Sequence, residues 1–352
     1  MLLSFTFPIA ESYDFVIENV KLFDGNKVIE HANIYIKDGL ISRIDSVKTS
    51  LNCKYNYRIN GHNKTLIPGL INAHVHIQSR ENLNNSAQAG ILTVMELLRL
   101  EEDSIPIYKT LSDSAGFPYF FTSGIGADMP DAVFKRFIQK INPYAPTTIK
   151  GVELFLSDRV NKKVDFIKVY QDSRLPQKFS DTLFDKLISE THKNNLLAIV
   201  HSETLRDACY EFDHGADIIA HGWIDSLITD DELSKWKERP FYVIPTLQVH
   251  LSVKKQLNPK SYTLTAEQIS GEIGRLHKAG ITLLAGSDSP ADNLNFTTDF
   301  YKELALFVRA GLSPLEALKT ATVNPAKAYK LKGKGEIKVG TSADFVLVKG
   351  DI

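Results

Sequence analysis

The feature that most constrains this chain is a rhythm that sets in after Gly61, where short apolar stretches alternate with amphipathic stretches of helical period. Eight of the apolar stretches read as buried strands: Leu66–Ala73, Ile91–Met95, Tyr119–Thr122, Val164–Val169, Leu196–Val200, Asp217–Ala220, Tyr242–Pro245 and Ile281–Ala285. A strand that is apolar along its whole length needs cover on both faces, and parallel sheets obtain that cover from helices. Such helices are predicted between several of the strands, over Asp181–Lys193, Thr204–Asp213 and Glu267–Ala279, with Ser180 and Thr265 as start signals for two of them. Eight repeats favour a closed ring over an open doubly wound sheet. The expected architecture is therefore α/β, a (β/α)₈ TIM-like barrel.

Both ends of the chain depart from that rhythm. Between Tyr13 and Ser46, alternating apolar residues are punctuated by Asp24-Gly25-Asn26 and Lys37-Asp38-Gly39, the pattern of antiparallel strands joined by tight turns. The stretch Gly335–Lys349 returns to β character. Neither end is large enough to fold alone, so the expectation is a small β-sandwich built from residues 1–64 and 326–352, with the barrel over 65–325.

Composition removes several function classes. With 24% charged residues, a net charge of −1 and no long run of one sign, nothing suits the chain to nucleic acid or an anionic membrane. A small-molecule substrate is expected, and self-association stays open. Two cysteines, Cys53 and Cys209, make no disulfide framework or Cys-x-x-Cys site, which fits a reducing cytoplasm. Leu2–Ala10 is apolar enough to make a short secretory signal the alternative, although the basic residues that normally precede one are missing. No later segment approaches the ~20 apolar residues needed to span a bilayer.

The residues that carry chemistry cluster at strand ends. His74 and His76 follow the strand that begins at Leu66, and histidines two apart on a strand leave it on the same side, so both imidazoles can reach one ion. Lys168, His201, His221 and Asp288 each close or follow a later strand. Singly, each has an ordinary reading: a solvated lysine, a rim histidine, a helix cap at Asp288. Together with the His-x-His pair they fall at strand C-termini, where barrel enzymes build active sites.

At these residues the chain resembles the amidohydrolase superfamily of metal-dependent hydrolases. The likeness also runs through Leu66–His76, Thr322–Ala328 and Gly335–Val346. Phe166–Tyr170 and Gly280–Pro290 are most similar to the imidazolonepropionase-related and prolidase-like members. The resemblance implies two divalent metal ions, Zn²⁺ first, with Mn²⁺, Co²⁺ or Ni²⁺ as other occupants. It implies that His74, His76 and Asp288 hold one ion, that His201 and His221 hold the other, and that a CO₂-derived carbamate on Lys168 serves both. The implied reaction uses a metal-activated hydroxide to cleave a C–N bond in a dipeptide, an N-acyl amino acid or a cyclic amide. Asp288 is expected to move the proton and Tyr170 to donate to the oxyanion, while Thr246 and Gln248 line the substrate pocket.

Three other readings are carried forward. A mononuclear deaminase of the same superfamily has a Glu three residues beyond the strand-5 histidine; here that position is Thr204, and Glu203 is two away. A lactonase or esterase would use the same metals. A non-catalytic scaffold relative would have lost ligands that this chain keeps. Two local features also stand out: Met95-Glu96 where relatives have Arg-Asp, and a charged segment, Leu98–Asp113, expected as a loop over the strand-2 end. His250 is expected to face the core or solvent.

Overall fold

The computed structural model describes residues 12–46, 53–130, 145–251, 262–290 and 294–352, so Leu2–Ala10 lies outside the described residues. The chain divides into two compact units, Met1–Leu70 with Leu331–Ile352, and Ile71–Lys330.

In the first unit, β1 (Ser12–Phe23), β2 (Val28–Lys37) and β3 (Leu40–Ser46) form the expected antiparallel run. Asp38 and Gly39 both have positive φ, 51° and 72°, as a tight two-residue hairpin turn requires. The twelve residues of β1 are long enough to serve two further strands. Its first half pairs in parallel with β4 (Lys54–Asn60) and its end pairs with β5 (Lys64–Pro68). The chain's other end adds β14 (Phe345–Lys349) antiparallel to β5.

These strands make one branched six-stranded sheet, in place of the two separate sheets that a sandwich implies. Its far edge meets the segment before β14, where Ile41 N–H bonds the Thr341 carbonyl and Ala343 N–H bonds that of Gly39. The sheet thus curls over its own apolar face, which buries Ile17, Val20, Leu22, Ile34, Ile36, Leu66 and Ile337. Curling removes apolar area from water without a second sheet.

The second unit carries the predicted alternation. The first predicted strand is broken at Pro68-Gly69: β5 belongs to the curled sheet, and a new strand, β6 (Leu70–Val75), begins the second one. Proline has no N–H to give a ladder, and the Gly69 N–H turns to the Asp344 carbonyl. Then follow β7 (Ile91–Glu96), β8 (Tyr119–Thr122), β9 (Ile167–Tyr170), β10 (Ala198–His201), β11 (Ile218–Ala220), β12 (Tyr242–Ile244) and β13 (Thr282–Leu283).

These eight strands lie in two sheets, β6-β7-β8 and β9 through β13 in sequence order, instead of one continuous ring. Isolated bridges span both seams, Ala127 to Val169 and Val75 to Ser289. Regular pairing fails there for a visible reason. β13 is two residues long, and the backbone beyond it reaches β6 through single bonds, from Ala73 N–H to the Ala285 carbonyl and from Asp288 N–H to that of His74.

The helices are labelled α1 (Arg80–Gln88), α2 (Ile105–Leu111), α3 (Ile149–Asn161), α4 (Asp181–Lys193), α5 (Leu205–Asp213), α6 (Asp230–Lys235), α7 (Ala266–Lys278), α8 (Thr298–Arg309), α9 (Pro314–Thr320) and α10 (Val323–Ala328). In α4 the buried residues Phe184, Leu187, Ile188 and Thr191 follow the helical spacing that packs one face on a sheet. Thr265 and Gln268 form a full capping box on α7, whereas Ser180 precedes α4 without a side-chain cap bond.

Leu98–Asp113 is not a loop. It contains a 3₁₀ turn, Glu102–Ser104, that leads into α2, and two of its charged residues, Arg99 and Glu102, turn inward. Arg99 is buried against Glu96, and Glu102 against Arg159 of α3.

Candidate metal centre

The ends of β6 and β13 bring His74, His76 and Asp288 together. Asp288 Oδ1 lies 3.1 Å from His74 Nε2 and 2.8 Å from His76 Nε2. Each of the three residues offers one ligand atom, all within 4.8 Å of one another. His74 is wholly buried; His76 keeps a quarter of its side chain exposed. Behind His74 there is no spare room, because a methyl group on Gly286 would stand 2.7 Å from His74 Cβ and 2.5 Å from Ile244 Cγ2.

The other two histidines continue the array. The ring of His221 sits 4.7 Å from that of His74 and 4.5 Å from that of His201, between centroids. Asp288 Oδ2 is 3.7 Å from His221 Nδ1, and Asp172 Oδ2 is 3.7 Å from His201 Nε2. Lys168 is buried within β9, two residues before Tyr170 at its end, its Nζ 5.6 Å from the centre of the Tyr170 ring, which itself stands 5.7 Å from that of His201. Thus the six residues singled out as ligands, and Tyr170, stand in or beyond the parallel strands of one unit.

Electrostatics prepare the group for a cation. Burial drives the His74 imidazole down to about 3, so at neutral pH it is uncharged with lone-pair nitrogen to offer. Burial pushes Asp288 upward, but His74 and His221 together with the hydrogen bonds from His74 and His76 outweigh it and hold the carboxyl well below its usual range. Burial and the nearby Asp128 and Asp288 carboxylates raise the Tyr170 phenol, which stays protonated. Nδ1 of both His74 and His76 is buried without a hydrogen-bond partner. Buried polar atoms seldom go unsatisfied, and a neutral imidazole beside an ionised carboxylate is a metal-binding donor set. The residues fit a divalent ion.

The residues expected to line the pocket turn elsewhere. The Thr246 hydroxyl is buried 3.1 Å from His221 Nδ1, and Gln248 donates from Nε2 to Asp299 Oδ1 at 3.2 Å. His250 is buried, with Nε2 donating to the His221 carbonyl at 2.6 Å and Nδ1 facing the Tyr262 hydroxyl. Thr204 caps α5, accepting from Asp207 N–H, and Glu203 closes on Arg174. Glu96 meets Arg99 and the Thr122 hydroxyl at 3.1 and 3.0 Å; burial raises its carboxyl to about 8.

Three residues escaped sequence reasoning. Asn72 bonds Ser287 both ways, through Nδ2 to the hydroxyl and through Oδ1 to the backbone N–H, and so ties β6 to the Asp288 loop. Its place in the His-x-His motif was the available signal. Asp172, two positions beyond Tyr170, had a similar one. Glu303 on α8, discussed below, had none.

A buried array of histidines, one carboxylate and a lysine on parallel strands is the donor set of a metal-dependent hydrolase. The chain belongs to the amidohydrolase family, whose profile matches residues 156–352. It is 24% identical over an alignment of 404 positions, gaps included, to a 5-methylthioadenosine/S-adenosylhomocysteine deaminase of Thermoanaerobacter pseudethanolicus, covering 96% of this chain and 85% of that one. In fold it is similar to a Xaa-Pro dipeptidase crystallised with methionine in its active site, with a TM-score of 0.82 at 20% identity over 96% of this chain and 94% of the other. A putative prolidase from Bifidobacterium longum aligns at the same TM-score with 21% identity, over 98% and 90% of the two chains. Among the described residues no helix is long and apolar enough to cross a membrane.

Proposed function

We propose that the chain hydrolyses an amide C–N bond of a small molecule, a dipeptide, an N-acyl amino acid or a cyclic amide, at a centre of two divalent ions, zinc first. The observation that carries this reading is Lys168, a buried lysine of β9 within electrostatic reach of His74. A lysine with an ordinary pKa near ~10.4 is costly to bury charged, but as a carbamate it becomes an anionic two-oxygen ligand. We take the eight strands as a closed barrel, a reading supported by the bridges at both seams.

In this reading His74, His76 and Asp288 would hold one ion and His201 and His221 the other, with Lys168 as a carbamate serving the centre. Bound there, divalent ions would supply Lewis acidity to a carbonyl and to water. Asp288 stays ionised at neutral pH. Its Oδ1 is engaged by His74 and His76, so Oδ2 is the oxygen that takes the proton and passes it to the leaving nitrogen. Tyr170, still protonated, donates its phenol hydrogen to the oxygen on which charge develops.

Deamination is the second reading, favoured by the likeness to curated deaminases. Against it, a helix-capping Thr204 stands where a mononuclear deaminase has its Glu, and Glu203 is spent on Arg174. The test is a panel of dipeptides, N-acyl amino acids, cyclic amides, lactones and aminopurine nucleosides offered to zinc-loaded enzyme. Amine release from the first three classes supports the proposal; ammonia from the nucleosides alone, or turnover of lactones alone, overturns it.

A further inference from the structure

We infer that Glu303, acting through the turn after β12, is a positioning residue that sets the ring of His221. The inference rests on the proposal that His221 is a metal ligand. Glu303 lies on the inner face of α8 with no exposed surface. Its Oε1 accepts the Leu247 N–H at 2.9 Å and its Oε2 the Gln248 N–H at 2.7 Å. One helical turn earlier, Asp299 accepts from Gln248 Nε2 and from the Asn295 N–H. Two carboxylates on one helix face therefore grip a single turn.

What they grip is strained. Thr246 has φ 45° and ψ 49°, a left-handed conformation that a β-branched residue rarely adopts. Such a conformation persists only where its surroundings over-determine it, and one carboxylate pinning the next two amides does so. The strain has a result at the site: it delivers the Thr246 hydroxyl to 3.1 Å from His221 Nδ1. Nδ1 is thus engaged by that hydroxyl and stands 3.7 Å from Asp288 Oδ2, and such a neighbour fixes the tautomer and rotation of a ligating imidazole. His250 holds the same residue from behind, through its carbonyl. A buried carboxylate is a costly way to bind two amides, and burial alone raises Glu303 to about 8.

The test uses the full chain and measures zinc affinity by chelator competition, together with the melting temperature of the metal-free protein. Glu303→Gln turns an amide N–H toward a backbone N–H and breaks one of the two bonds. Thr246→Val removes the hydroxyl and keeps the shape. Each is expected to weaken zinc binding by about 10–100-fold, with kcat falling more than KM. The double variant is expected to be no worse than either single one, and Thr246→Ser to restore affinity. Wild-type zinc affinity in Glu303→Gln, with only the melting temperature lowered, would overturn the inference. So would additive losses in the double variant. If Glu303→Gln does not fold, the Thr246 pair decides, and equal zinc affinity of the Val and Ser variants overturns it. His221→Ala separates the two levels. Zinc content unchanged in that variant sinks the ligand reading and this inference together, whereas a loss there with none in Glu303→Gln sinks this inference alone.

Discussion

Nε2 of His76 and Oδ1 of Asp288 are 2.8 Å apart although 212 positions separate them in the chain. The same oxygen faces His74 Nε2 at 3.1 Å, so one carboxylate orients two imidazoles. Asp288→Asn keeps that geometry but cannot accept a proton. The substitution should leave zinc content near wild type and lower kcat by about 10²–10⁴-fold. Metal analysis beside steady-state kinetics checks it, and undiminished turnover would remove Asp288 from proton transfer.

Lys168→Met replaces a buried amine chain by an apolar one of similar length. Folding stability of the metal-free protein should hold or rise, because a buried polar group is removed. Bound zinc should fall from two equivalents to one or fewer, and a carbamate signal from ¹³C-bicarbonate should vanish from the NMR spectrum. A variant that still binds two ions would show that the lysine is no part of the centre.

Arg159 is wholly buried, and its Nη2 meets Glu102 Oε2 at 2.8 Å. Glu102 also accepts the Ile125 N–H, so the pair joins the 3₁₀ turn, α3 and the chain beyond β8. Glu102→Ala leaves the buried guanidinium with Asp158 and the Ile125 carbonyl and should cost about 1.5–3 kcal/mol in urea unfolding. Replacing both partners, Glu102→Leu with Arg159→Met, should cost less than that single change.

Acid stability offers a smaller test. Glu316 caps α9, and its carboxyl is lowered to about 2, first by the Ser313 hydroxyl and then by the Ser313 N–H. The folded state therefore holds this proton less tightly than the unfolded chain. Its contribution is complete above the ordinary carboxylate value near ~4.5 and is lost as pH falls toward 2. With 43% of the side chain exposed, solvent screening limits the effect to about 0.5 kcal/mol. Glu316→Gln preserves the cap but not the titration, so the stability gap between variant and wild type should close as the pH falls from 4.5 to 2. A gap that stays constant would show that the carboxylate contributes nothing by its charge.

Much of the site was legible because its residues obey two local rules. Strand ends reveal themselves by apolar runs, and side chains two apart share a face, which pointed to His74, His76 and Lys168. The helices Asp181–Lys193 and Leu205–Asp213 were legible for the same kind of reason, a 3.6-residue period with a polar start. Pairing and partner choice were not. Pro68-Gly69 marks a local break in Leu66–Ala73, but nothing local says that its two halves join different sheets; β5 is claimed by the first sheet through β1 and β14. Thr246 and Gln248 looked like pocket residues because they follow a strand, yet their side chains meet His221 and Asp299.

The sequence by itself determined the alternation of strands and helices, the strand-end positions of six candidate ligands and the joining of both chain ends in β structure. Each is written in periodicity or in a short motif, within a few residues of itself. Only the tertiary structure decided that one curled sheet replaces a two-sheet sandwich, that Asp288 bridges two histidines, and that Glu303 of α8 holds the turn behind His221. Those facts depend on which distant groups meet once the chain is folded. The Glu303 bond to Gln248 spans 55 positions and leaves no trace in local pattern.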